Sequence, residues 1–185
     1  MIEVHRRLRA EIPHLLTVVA PRHPDRAPEI AAGAAAAGLK VALRSRGEAP
    51  DQACDIYLFD TIGELGLLYR LAPIVFMGGS LAEHGGQNPI EPAKLGAAIL
   101  HGPHVWNFAE IYAALDAAHG ARQVGDSAAL AACMREWLTD AAARQKSATA
   151  GRRTLEALSG ALDRTLAALD PHLRPLLPAR RARDA

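Results

Sequence analysis

The sequence is poor in cysteine and in aromatic residues. Its 185 residues include two cysteines, Cys54 and Cys133, which are far apart and form no CxxC pair. This spacing argues against a disulfide framework and a zinc site, and it indicates a reducing compartment. Aromatic residues make up 4% of the chain, although 50% of it is hydrophobic. A core of small and aliphatic side chains favours closely packed α/β layers.

The chain also lacks an excess of one charge and a long apolar run. Its 21 Lys and Arg residues are balanced by 20 Asp and Glu residues. Nucleic-acid binders carry clustered basic surfaces, so we predict no nucleic-acid partner. The alanine-rich run from Ile30 to Leu43 is interrupted by glycines and Lys40, and is therefore not a membrane span. The N-terminal segment has no secretory core and is typical of an amphipathic helix. We expect a cytoplasmic domain with at most peripheral membrane contact.

Five short apolar segments and one short mixed segment predict β-strands, and most of them are separated by helical patterns. Strands that alternate with helices of about 10 to 15 residues indicate βαβ units in a doubly wound, mostly parallel sheet. The segments are Leu15 to Pro21, Leu39 to Leu43, Asp55 to Asp60, Pro73 to Met77, Ala97 to Leu100, and a short strand within 121–126.

The chain begins with a helix, whereas a doubly wound sheet normally begins with a strand that lies in its middle. We therefore expect the opening strand to be lacking. It is either supplied by another part of a longer protein, or the sheet is incomplete. The predicted organisation is a binding domain over 1–140, a helical extension over 141–170 and a flexible tail rich in arginine and proline over 171–185.

Ligands of parallel α/β sheets bind beyond the carboxyl ends of the strands, so residues there are candidates for a site. Pro21-Arg22-His23-Pro24 follows the first predicted strand. The guanidinium of Arg22 could donate two parallel hydrogen bonds to a phosphate or carboxylate. A lone arginine at such a position is also common on a protein surface.

Two further loops follow later strands. Thr61 and Glu64 match a capping box, and Gly63 between them would let a ligand approach the backbone in the first helical turn. Asn88 and Pro89, with Glu91 three residues after Asn88, are typical of a capped helix start. Capping alone explains these residues. It does not explain the four glycines and a histidine packed into 78–86, which predict a binding loop.

The common nucleotide-binding and hydrolase motifs are missing from the sequence. There is no GxGxxG after a strand, no GxxxxGK[ST] and no GxSxG. His101 and His104 have no third ligand nearby in sequence, so we interpret them as structural or exposed residues and predict no metal site.

Three motifs, in this order, are PRHP, DTIGEL and MGGSLAEHGGQNPIEPAKLGAAILHGPHVWNF. Together they resemble the C-terminal domain of bacterial 3-deoxy-D-manno-octulosonic acid (Kdo) transferases, which are two-domain GT-B glycosyltransferases. The resemblance extends from about Met1 to near Leu138. It implies one Rossmann-like half of a GT-B enzyme with CMP-Kdo as donor, a lipid A precursor as acceptor, and neither a metal nor another cofactor.

The resemblance also implies which residues bind the donor. Arg22 should face the phosphate of CMP, and Glu91 should accept hydrogen bonds from the ribose. The full set of donor-binding candidates is Pro21, Arg22, Ile62, Gly63, Glu64, Asn88, Pro89, Ile90 and Glu91. Weaker candidates for the surrounding pocket are His23, Gly78, Gly79, Ser80 and Gln87.

This sequence departs from the family pattern in two respects. Gln87 stands where many members have histidine, and glutamine cannot hold a proton. The family's N-terminal half, which carries the acceptor site, the membrane anchor and the expected catalytic base, is not part of the sequence. We therefore assign no catalytic residue, expect no transfer by this chain alone, and place its activity at the cytoplasmic face of the inner membrane. The alternatives are a UDP-sugar-dependent GT-B transferase or epimerase, and a truncated remnant without activity.

Overall fold

The computed structural model describes residues 1–159 and 168–172, and in them all six predicted strands are present. Each strand is shorter than or equal to the apolar segment that predicted it, because the flanking residues belong to turns. The strands are β1 (Thr17–Val19), β2 (Val41–Leu43), β3 (Ile56–Leu58), β4 (Ile74–Met77), β5 (Ala98–His101) and β6 (Ala121–Gln123).

The strands form two three-stranded sheets, with the orders β1-β3-β2 and β4-β5-β6. Every pair is parallel, which confirms the predicted α/β class. The central strands β3 and β5 are fully buried, as expected for parallel strands covered on both faces. By contrast, β1 is half-buried along its length and β4 along most of it. Within the described residues, β1 and β4 are therefore edge strands of two separate sheets.

Seven α-helices surround the two sheets in residues 1–159. Asp126 and Asp140 cap the sixth and seventh helices, each accepting a hydrogen bond from the amide three residues later. None of these helices is both long and apolar enough to cross a membrane. The helices are α1 (Ile2–Arg9), α2 (Ala27–Ala36), α3 (Leu65–Leu71), α4 (Ile90–Lys94), α5 (Ala109–Ala117), α6 (Ser127–Thr139) and α7 (Ala141–Leu158).

Helix α1 holds the two sheets together. Val4 and Leu8 pack into the core formed by β4, β5 and α6, while Ile2 packs against the core of the first sheet. On the same side, His5 Nδ1 lies 2.9 Å from the hydroxyl oxygen of Thr17 in β1. The predicted amphipathic helix is thus confirmed, and its apolar face bridges the gap between the sheets.

Helix α7 packs onto the second sheet. Ala148 joins the core around Leu100 and Trp137, and Leu155 joins the core around Tyr112. The helix begins at the predicted boundary after residue 140 but ends at Leu158, where Ser159 is extended, so the predicted continuous stretch to about Leu169 is wrong. Residues 160–167 lie outside the described part. The predicted tail over 171–185 also lies outside it, apart from residues 171 and 172.

Candidate functional site

The carboxyl ends of the strands are level within each sheet. In the first sheet, Val19 and Leu43 both pair in register with Leu58, so the loops after β1, β2 and β3 leave from one edge. In the second sheet, Met77 pairs with His101, so the loop after β4 leaves beside the end of β5. The predicted site loops therefore start from the carboxyl edges of both sheets.

Arg22 connects the loop after β1 to the loop after β4. Its Nη1 donates a hydrogen bond to Oε1 of Gln87 at 2.7 Å, and the contact is open to solvent. Gly79 lies on the other side of Gln87. A Cβ at this glycine would be 3.8 Å from Gln87 Nε2, and its φ of +70° favours glycine. Arg22 of the loop after β1 therefore lies next to Gln87 and Gly79 of the loop after β4.

Glu64 is held by an ion pair and does not complete a capping box. Arg44 Nη2 donates to Glu64 Oε1 at 2.8 Å, and the Thr61 hydroxyl donates to Glu64 Oε2 at 2.7 Å. The hydrogen bond from Arg44, followed by that from Thr61, lowers the pKa of Glu64. The carboxylate therefore remains ionised at neutral pH.

The prediction that Thr61 caps α3 is wrong. The helix begins at Leu65, because Gly63 has a φ of +93°, a left-handed conformation that interrupts a helix. Gly63 thus lies in a loop before the helix. Its neighbour Ile62 is 86% exposed at this edge. An exposed isoleucine next to an accessible backbone leaves room for a flat apolar group.

Helix α4 begins at Ile90, one residue later than predicted, because Pro89 and not Asn88 stands at its N-cap; Asn88 Oδ1 accepts a hydrogen bond from the Ile90 amide at 2.9 Å. Pro89 immediately precedes the helix, which has five residues. Glu91 is exposed and lies beside the start of α3, where a Cβ at Gly66 would be 3.2 Å from Glu91 Oε1. The α3 and α4 loops therefore come together. Because α3 and α4 are both short, side chains and loop amides rather than helix dipoles must supply most of any binding.

Ser80 anchors the glycine-rich loop inside the protein. Its buried hydroxyl donates to the carbonyl oxygen of Met77 and accepts from the Gly102 amide at 2.8 Å. A Cβ at Gly102 would be 2.2 Å from the carbonyl oxygen of Ser80, so only glycine allows this approach. The exposed Gly78 comes before Ser80 in the loop, and Gly79 lies next to the Gln87 side chain.

Sequence reasoning missed Arg44, Gly66 and Tyr112. Arg44 directly follows β2, so the rule that selected Arg22 could have found it. Gly66 and Tyr112 carry no local signal, because their proximity to Glu91 and Gln87 arises from packing between helices and loops. In residues 1–159 and 168–172, no group of three or more His, Cys, Asp or Glu side chains could hold a metal ion.

The fold and the loop cluster define a parallel α/β domain with its candidate site at the carboxyl edge, which is the architecture of one half of a GT-B glycosyltransferase. No protein-family profile matches the chain. It is 36% identical over 174 residues to a 3-deoxy-D-manno-octulosonic acid transferase of Haemophilus influenzae. It is 39% identical over 166 residues to the transferase of the same name from Bordetella pertussis. These matches cover 94% and 89% of the chain.

A solved structure is similar over most of the fold. It is the C-terminal CMP-Kdo binding domain of WaaA from Acinetobacter baumannii, with a TM-score of 0.79 and 28% identity over 83% of this chain and 80% of that domain. The chain is therefore a relative of the C-terminal domain of the Kdo transferases, which confirms the resemblance. It spans about two fifths of the length of the two curated relatives, 41% and 39%.

Proposed function

We propose that this chain is the donor-binding domain of a Kdo transferase, and that it binds the CMP moiety of CMP-Kdo. The transferases from two bacteria match almost the whole chain, and the similar solved domain is named for binding CMP-Kdo. In this proposal, the complete protein transfers Kdo to a lipid A precursor.

The observation that carries the proposal is the contact between Arg22 and Gln87, which brings the first and third motifs to one edge. A guanidinium has five N–H donors, so Arg22 can bond Gln87 and still offer a fork to phosphate. In transfer from a CMP-sugar, the phosphate is the leaving group and gains negative charge. A fixed cation at that phosphate therefore stabilises the transition state.

The other predicted residues are assigned by chemistry and position. The exposed Glu91 carboxylate accepts from ribose hydroxyls, with Asn88 next to it at the start of α4. Exposed Ile62 packs against the base or sugar, and Gly63 allows the ligand to approach its backbone. Pro21, His23, Gly78 and Ile90 complete the surrounding wall, whereas Pro89 is fully buried and supports the turn from behind.

The acceptor site and the catalytic base are proposed to lie in the remaining part of a longer protein. The similar solved domain is the C-terminal part of its enzyme, and this chain spans 41% of the Haemophilus influenzae relative. We further propose that the reaction uses no bound metal or cofactor and takes place at the cytoplasmic face of the inner membrane.

Calorimetric titration of the purified chain with CMP tests the proposal, with UMP and NAD as controls. We expect saturable binding of CMP that is clearly tighter than that of UMP, and no binding of NAD. A preference for UMP would favour a UDP-sugar enzyme instead. Absence of CMP binding by a chain with a cooperative melting transition would contradict the proposal for this chain.

Glu91→Gln should weaken CMP binding by roughly tenfold, because the exposed carboxylate accepts charge-assisted hydrogen bonds that an amide makes less strongly. Glu64→Gln is the matched control. The Glu64 carboxylate is already bound to Arg44 and Thr61, so we expect it to line the site through its backbone and the substitution to change CMP affinity by about twofold at most. Equal affinities of Glu91→Gln and the unchanged chain would remove Glu91 from the site.

A further inference from the structure

Tyr112 of α5 reaches the glycine-rich loop from inside the protein. Its side chain is 1% exposed, and its hydroxyl donates a hydrogen bond to the main-chain oxygen of Gln87 at 2.8 Å. Burial, and then the charge of Asp116, raise the pKa of Tyr112. The hydroxyl therefore remains a donor at neutral pH, and the Gln87 carbonyl has a fixed partner.

The ring of Tyr112 is held by a second buried side chain. The centroid of the His101 ring lies 4.4 Å from that of Tyr112. His101 is fully buried, with Nδ1 at 2.7 Å from the carbonyl oxygen of Gly102 and Nε2 at 3.0 Å from Asp116 Oδ1. Both ring nitrogens thus have a hydrogen-bond partner, one in the main chain directly after β5 and one in the side chain of Asp116 in α5. This support leaves the tyrosine ring little freedom to tilt away from Gln87.

Gln87 links this buried pair to the exposed site. Its main-chain oxygen accepts from Tyr112, and its side-chain oxygen accepts from Arg22. The Asn107 side chain adds only long hydrogen bonds to the same loop, at 3.3 Å to the His84 oxygen and 3.4 Å to the Gly86 oxygen, and its main-chain amide donates to the Gly85 oxygen at 3.1 Å. Of these side-chain hydrogen bonds to the loop, the one from Tyr112 is made to Gln87 itself, the residue that contacts Arg22.

We propose that Tyr112 is a positioning residue for the donor site, which sets the Gln87 peptide and, through the Gln87 side chain, the direction of the Arg22 guanidinium. The proposal rests on the proposed function, because it makes CMP affinity depend on a buried hydroxyl that does not touch the ligand. If the Arg22 side chain is already ordered, no side-chain entropy is lost when the phosphate binds, and the affinity for CMP is correspondingly higher.

If the Tyr112 hydrogen bond were purely structural, its loss would lower the stability of the protein alone. If it positions Arg22 through Gln87, its effect on CMP affinity must depend on the Gln87 side chain. The test compares Tyr112→Phe, Gln87→Ala and the double variant in calorimetric titrations with CMP. We expect each single variant to bind about three- to tenfold more weakly, and the double variant to bind no more weakly than Gln87→Ala. Thr154→Val is the matched control, because it removes another hydroxyl that donates to a carbonyl, that of Ala150 in α7.

A second readout needs no ligand. The side-chain Nε–H resonance of Arg22 in the ligand-free protein should shift in Tyr112→Phe in the same direction as in Gln87→Ala, and should stay in place in Thr154→Val. Independent, additive losses of CMP affinity, or an Arg22 resonance that moves in Gln87→Ala but not in Tyr112→Phe, would overturn the proposal. If the unchanged chain does not bind CMP, the proposed function fails, while the resonance still decides whether Tyr112 positions Arg22.

Discussion

Arg22→Ala should lower the affinity for CMP by about thirtyfold or more. Hydrogen bonds between a cationic donor and an anionic acceptor contribute roughly 2 kcal/mol, and about 1.4 kcal/mol corresponds to a tenfold change in affinity. The guanidinium lies at the point where the loops after β1 and β4 meet, and Arg22 is the one arginine of the PRHP motif. Calorimetric titration with CMP measures the effect directly.

Arg26→Ala is the matched control for this experiment. It removes the same charge from the same loop region, but Arg26 pairs with Glu29 at 3.2 Å instead of Gln87. Arg22→Lys adds a test of geometry, because lysine keeps the charge and loses the planar fork. We expect Arg26→Ala to bind CMP like the unchanged chain and Arg22→Lys to fall between the extremes. Equal losses in Arg22→Ala and Arg26→Ala would mean that net charge, and not a specific phosphate contact, governs binding.

Five of the six strands could be predicted because each lies in a short apolar run that ends near proline, glycine or a charged residue, whereas β6 is the mixed segment Ala121–Gln123. Such runs identify buried parallel strands, and the turns around them shorten the hydrogen-bonded part to three or four residues. Pairing between strands carries no comparable local signal. The position of β3 between β1 and β2, and the division of the sheet at β1 and β4, became visible only in the structure.

The candidate site was predictable where the backbone itself carries the signal. Asn88 before a proline marked a helix start to within one residue, and its side chain accepts a hydrogen bond from the Ile90 amide. At Thr61 and Glu64 the same kind of signal failed. A glycine in the left-handed conformation intervenes, and Arg44 competes for the carboxylate from a loop 20 residues earlier. Contacts of this kind depend on strand order, which the local pattern does not contain.

Gly120→Ala should destabilise the protein by about 3 kcal/mol, because overpacking typically costs roughly 1–3 kcal/mol and here the obstacle is backbone. A Cβ at Gly120 would lie 2.5 Å from the Cα of Gly151 and 2.6 Å from its amide nitrogen. No side-chain rotation can relieve this contact between the loop before β6 and α7. For a domain of this size, the melting temperature should fall by about 6–12 °C.

Gly125→Ala is the control, since a Cβ there has nothing within 4 Å and should leave the melting temperature nearly unchanged.

The number of unfolding transitions in Gly120→Ala shows whether α7 unfolds together with the second sheet. Leu155 of α7 packs into the same core as Tyr112, so moving α7 should weaken the whole second sheet in one cooperative step. If α7 instead melts separately while the strands stay protected from hydrogen exchange, the boundary predicted after residue 140 separates two independent units. A single lowered transition would make α7 a part of the donor-binding domain itself.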